Sequence, residues 1–172
     1  GETHGVPHPF TVIATQNTVE GDRAYDLPMA EIDRFMKKLR LGYPSEDEET
    51  EMLDRVVGDH PIEDLASVAS LDDLRHAREV TASITVSEDV RSYATRLANY
   101  TREHAQLGVS PRGSIVLLRA AQARALLDGR EYVVPDDIQR EAPAVLAHRI
   151  RTGASRTGGE LVEKALDTVP VE

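Results

Sequence analysis

Only two short stretches of this sequence read as β-strand, Phe10–Ala14 and Lys37–Leu41, and two strands alone cannot make a stable parallel sheet. Phe10-Thr11-Val12-Ile13-Ala14 is a continuous apolar-rich run followed by Thr15-Gln16-Asn17, the pattern of a strand buried on both faces. Lys37-Lys38-Leu39-Arg40-Leu41 alternates, and Gly42-Tyr43-Pro44 ends it. Between them Thr18 to Pro28 reads as a loop and Met29 to Met36 as a short helix. Residues 1–43 are therefore expected to be a remnant of a larger α/β unit, with strand edges that want partners.

From Ser45 the character changes. Ser45 caps an acidic helix that runs to Val57, where Gly58 stops it. Leu71, Leu74, Ala77, Arg78 and Val80 mark a second helix. Ser87 caps a third, with Val90, Tyr93, Leu97 and Tyr100 on one face. Ser110-Pro111 is a cap followed by proline at the first helical position; Ile115, Leu118, Ala121 and Ala125 follow at helical spacing up to Gly129. Pro135 opens another helix with Asp136 and Asp137 in its first turn and Ile138, Val145 and Leu146 inward, behind a poor cap at Val134 that predicts a frayed start. Gly158-Gly159 precedes a last helix that ends before Pro170. Residues 44–172 thus read as an α-helical bundle, expected to fold without residues 1–43.

Composition narrows the function. A formal net charge of −10 argues against nonspecific nucleic-acid binding, which needs clustered cations to displace counterions. The absence of cysteine excludes disulfides and thiolate chemistry and suits a cytoplasmic location. No apolar run approaches the length of a membrane span, so no membrane insertion is expected. His4 and His8 lie four apart, but Pro7 and Pro9 break any helix there, so no metal site is expected, and Tyr93 and Tyr100 read as bundle core.

Several stretches, taken in order, carry a resemblance. Val12-Ile13-Ala14-Thr15-Gln16-Asn17 resembles the sensor 1 strand of MoxR-type AAA+ ATPases. Leu27-Pro28-Met29-Ala30-Glu31-Ile32-Asp33-Arg34-Phe35 resembles the segment that carries their arginine finger, and Leu41-Gly42-Tyr43-Pro44 their exit from the last core strand. Gly108-Val109-Ser110-Pro111-Arg112 is similar to the sensor 2 motif, with Ala125-Leu126-Leu127-Asp128-Gly129-Arg130 after it. Thr18 stands where the family usually has proline, and Arg23-Ala24 replaces a usual Gly-Thr pair. The resemblance implies a mainly α chain: a helical AAA+ lid at 44–172 behind a remnant of the P-loop core at 1–43.

It also implies ATP hydrolysis with Mg2+ in a homo-oligomeric, hexameric ring. The whole protein would be a chaperone-like factor for maturation, or cofactor or metal insertion, of other proteins, with von Willebrand factor A domain partners. A phosphate-cradling loop ends in Gly-Lys-Ser or Gly-Lys-Thr, and the sequence contains no Gly-Lys pair. That loop and the metal-holding carboxylates would precede Gly1 in the family. The chain is therefore expected to be part of a longer protein, inactive by itself and without tightly bound nucleotide.

The residues in question can be weighed individually. Asn17, just past an apolar strand, suits either a plain turn or an amide that orients the attacking water, and the resemblance favours the second. Arg34 suits either a surface ion pair or a finger reaching a neighbour's nucleotide, with Asp33 to orient it. Arg112 sits at the second position of its helix, where a cation opposes the macrodipole; that placement makes sense if an anion binds against it. A surface arginine turned to solvent is the alternative. A magnesium-chelatase-like subunit, or a helical interaction module with no nucleotide role, are the competing readings of the whole chain.

Overall fold

The computed structural model describes residues 2–16, 27–57, 62, 65–154 and 156–172. Among the described residues seven α-helices follow one another: α1 Met29–Ile32, α2 Glu46–Val56, α3 Leu71–Ser83, α4 Glu88–His104, α5 Pro111–Leu127, α6 Pro135–Leu146 and α7 Gly158–Thr168, with a 3-10 turn at Ala147–Arg149 after α6. The fold is mainly α, as the sequence predicts.

Local chemistry explains the helix starts. Ser45, Ser70 and Thr157 each accept from the backbone N–H three residues on, and Glu48, Asp73 and Glu160 reach back to the cap. Ser87 and Ser110 cap α4 and α5, and Pro111 fills the first position of α5. α5 ends with Gly129 at φ 72°, where Gly129 N bonds Leu126 O and Arg130 N bonds Ala125 O.

The start of α6 corrects the expectation of fraying. Val134 has no capping side chain, but Asp137 is buried and its carboxylate accepts from the Val134 N–H at 2.9 Å. Arg130 grips the same carboxylate through both nitrogens of its fork, at 2.8 and 2.6 Å. Burial alone would raise the Asp137 pKa; Arg130 and the Val134 amide outweigh it and hold the carboxyl below its ordinary range.

One hydrophobic core lies among α4, α5, α6 and α7. Tyr93, Leu97, Leu117, Ile138, Leu146 and Leu161 are its largest apolar side chains, each fully buried. The inward stripe of α5 differs from the expected one: Leu117, Ala120, Ala121 and Ala125 are buried, whereas Ile115 is 54% exposed. Gly158 and Gly159 are the first residues of α7 rather than its lead-in. A Cβ on Gly158 would lie 2.3 Å from Ala147 O, so only glycine lets α7 start against the 3-10 turn. α3 packs on α5, while α2 has no buried residue.

The expected strands are the main departure. Among the described residues the β-structure consists of isolated bridges, Thr85 with Tyr132 and Leu107 with Arg151. Val12 and Ile13 are extended and exposed, and so are Leu39 and Leu41. Lys38 N bonds Ala144 O at 2.9 Å, so this stretch runs along α6 instead of joining a ladder. A strand that buries both faces needs a neighbour on each edge, and among the described residues no strand pairs with either stretch.

Candidate functional site

The site is built around the N-terminus of α5. Thr101, buried on α4, donates to Ala98 O at 2.7 Å and accepts from Val109 N at 3.0 Å. Arg102 Nε donates to Val109 O at 2.8 Å. The chain between α4 and α5 crosses α4 so closely that a Cβ on Gly108 would sit 2.5 Å from Arg102 Cα. These contacts fix where Ser110 and Pro111 begin the next helix.

Arg112 is the second residue of α5 and exposed, and among the described residues its side chain makes no hydrogen bond or ion pair. Of the first-turn amides, Pro111 has none, Gly113 N bonds Ser110 Oγ and Ser114 N bonds Ser110 O. The Arg112 N–H is the donor left over, beside its own guanidinium.

Behind that turn lies Arg149, whose side chain is fully buried. It passes so near α5 that a Cβ on Gly113 would stand 3.0 Å from Arg149 Cδ and 2.6 Å from Val109 Cγ1. Its Nε donates to Asp33 Oδ1 at 3.1 Å, and its Nη2 to Asp33 O at 3.1 Å and Phe35 O at 2.6 Å. Its Nη1 donates to Val145 O and, at 2.7 Å, to His148 Nε2, with Met36 O farther off at 3.4 Å. Burial first, then the charge on Arg149, lower the His148 pKa, and its Nε2 also lies 3.2 Å from Phe35 O. Burial also pulls the Arg149 pKa down; Asp33 opposes this, and Arg112 is near enough to add to the pull.

Asp33 joins the two ends of the chain. Its carboxylate accepts from Ser110 Oγ at 3.1 and 3.0 Å as well as from Arg149. It makes no bond to Arg34, which corrects the expectation that Asp33 orients that residue. The Arg34 side chain is exposed and, among the described residues, makes no hydrogen bond or ion pair. Lys37 Nζ pairs with the buried Glu141, which Arg124 also holds at 3.0 Å. The structure thus brings Asp33, Arg149 and the start of α5 together and leaves Arg34 and Arg112 open. Asn17 lies outside the described residues.

The sequence reading missed Arg149 and Glu141. The signal was available: Ile138, Glu141, Val145 and Arg149 follow at spacings of three and four, which puts two charges on an apolar stripe.

Among the described residues no helix is long and apolar enough to cross a membrane. Residues 97–168 match the AAA lid domain, and residues 1–37 match the ATPase family associated with various cellular activities. YeaC of Bacillus subtilis is 46% identical across 87% of this chain and 48% of its own length. The chaperone MoxR1 of Mycobacterium tuberculosis is 37% identical across 87% of this chain and 42% of its own. A crystal structure from Cytophaga hutchinsonii, of a protein named as a candidate ATPase, superposes with a TM-score of 0.89 at 32% identity, covering 97% of this chain and 56% of that one. The helical bundle and the segment docked on it define the lid end of an AAA+ ATPase. Within that class the chain belongs to the MoxR type, and it spans about half the length of the curated relatives it matches.

Proposed function

We propose that this chain supplies the C-terminal working parts of a ring-forming, Mg2+-dependent ATPase. Arg112 and its own amide hold a nucleotide phosphate at the start of α5, Asn17 orients water at the γ-phosphate, and Arg34 reaches the nucleotide of the adjacent subunit. The single observation that carries this reading is Arg112. It is an exposed guanidinium with no partner, at a helix N-terminus that repels cations, beside a second, buried arginine. Among the described residues Asp33 is the carboxylate bonded to Arg149 and none is bonded to Arg112, so the local charge suits an anion.

The chain by itself neither hydrolyses ATP nor binds it tightly, because no Gly-Lys phosphate loop is present in the sequence. The whole protein acts in the cytoplasm, as a hexamer, as a chaperone-like factor in maturation or cofactor insertion, alongside von Willebrand factor A domain proteins. The kinship with the chaperone MoxR1 supports this wider role.

The test is Arg112→Ala in the full-length protein. Nucleotide affinity, read by calorimetry, or steady-state hydrolysis should fall, with circular dichroism unchanged. Wild-type affinity and turnover would make Arg112 an ordinary surface residue.

A further inference from the structure

Arg149 does more than neutralise Asp33. Its Nη2 donates to Asp33 O and Phe35 O, the carbonyls on either side of Arg34, and its Nη1 approaches Met36 O. The main chain is therefore gripped before and after Arg34, while the Arg34 side chain is left free. The same guanidinium lies against the first turn of α5, in space that exists because Gly113 has no Cβ. Asp33 closes the loop by accepting from Ser110, the cap of the helix that carries Arg112. A second anchor follows four residues after Asp33, where Lys37 pairs with the buried Glu141 and Lys38 N bonds Ala144 O.

We infer that Arg149 is a positioning residue for Arg34: it ties the main chain around Arg34 to the start of α5. The arginine offered to a neighbouring subunit and the arginine facing the chain's own nucleotide then move as one body. A tilt of α5 when nucleotide engages Arg112 would be passed to Arg34 through Ser110, Asp33 and Arg149. Only a buried fork can do this. A lysine at the same place keeps the charge and can reach Asp33, but its single nitrogen cannot span the two flanking carbonyls and Val145 O together. This inference rests on the reading of Arg34 as the residue that serves the neighbour's site.

The experiment has a structural arm and a kinetic arm. In this chain, hydrogen exchange of residues 33–38 should speed up at least tenfold in Arg149→Lys, while α4 to α7 keep their protection. In the full-length protein, Arg149→Lys should lower turnover at least tenfold with nucleotide affinity within about twofold. The double variant Arg34→Ala/Arg149→Lys should be no slower than Arg34→Ala, because a positioning residue has nothing left to position. Unchanged exchange at 33–38, or losses that multiply in the double variant, would overturn the inference. If Arg34→Ala alone kept full turnover, the reading of Arg34 would fail and this inference with it, whatever the exchange arm showed. Should Arg149→Lys not fold, Lys37→Ala carries the same test. Its side chain is partly exposed, and both readouts should shift in the same sense, by a smaller factor; wild-type values would overturn the inference.

Discussion

Asp33 and Ser110 are 77 residues apart in the chain and joined by hydrogen bonds of 3.1 and 3.0 Å, so the cap of α5 is itself held by the segment before the helical bundle. That one carboxylate also satisfies Arg149, whose side chain has no exposed surface. The connection makes residues 33–38 part of the packing of α5 and α6 rather than a tail beside it.

Asp33→Ala should therefore destabilise the chain. Breaking a buried pair costs about 3–5 kcal/mol, and partial exposure of Asp33 places the loss near about 2–3 kcal/mol. Urea unfolding followed by circular dichroism measures it. A loss under about 0.5 kcal/mol would mean that water replaces the carboxylate at no cost.

Removing residues 1–43 takes away the same carboxylate, three carbonyl acceptors of Arg149 and the lysine on Glu141. The buried apolar cluster runs from Ile84 to Ala165 and takes nothing from residues 1–43, so the shortened chain should still melt cooperatively, at a lower temperature than the whole. Loss of the helical signal would show that the two parts depend on each other for folding.

Asp137 gives a dependence on pH. Its folded pKa is depressed, so its contribution to stability is present above the ordinary aspartate value and lost as pH falls through the folded value. Asp137→Asn keeps the shape and removes the charge that Arg130 grips. At neutral pH the variant should be about 2 kcal/mol less stable. As pH falls below the ordinary aspartate range, the gap between the two proteins should close. Thermal midpoints measured across pH decide this, and a gap constant with pH would assign the stabilisation to shape alone.

Much of the fold is legible in the sequence because its information is local. Ser45, Ser87 and Ser110-Pro111 mark helix starts that depend on a residue and the amide three positions away. What the sequence hides is long-range. Nothing near Asp33 announces Ser110 or Arg149, and Val134 reads as a weak cap until Asp137 is seen to reach back to its amide. The strand pattern of Phe10–Ala14 is a statement about neighbours, and it stays unexpressed where no neighbour is present. At the candidate site, the helix-start position of Arg112 was legible from Ser110-Pro111, but the clamp around Arg34 was not, since a main-chain carbonyl leaves no trace in a sequence.

The sharpest expectation concerns which subunit Arg34 serves. It is exposed and unpaired, and the clamp by Arg149 fixes its backbone while leaving its side chain to reach outward. A guanidinium that acts on a neighbour's transition state contributes little to ground-state binding. In the full-length protein Arg34→Ala should cut hydrolysis by about a thousandfold or more, in line with the range for such fingers, with nucleotide affinity nearly unchanged. It should also complement. A variant whose phosphate-loop lysine is replaced binds no nucleotide but still offers Arg34; Arg34→Ala protein binds nucleotide but offers none. Each alone should be inactive, and mixed rings should regain part of the activity. If mass measurement confirms mixed rings and no activity returns, Arg34 acts within its own chain or only supports the fold.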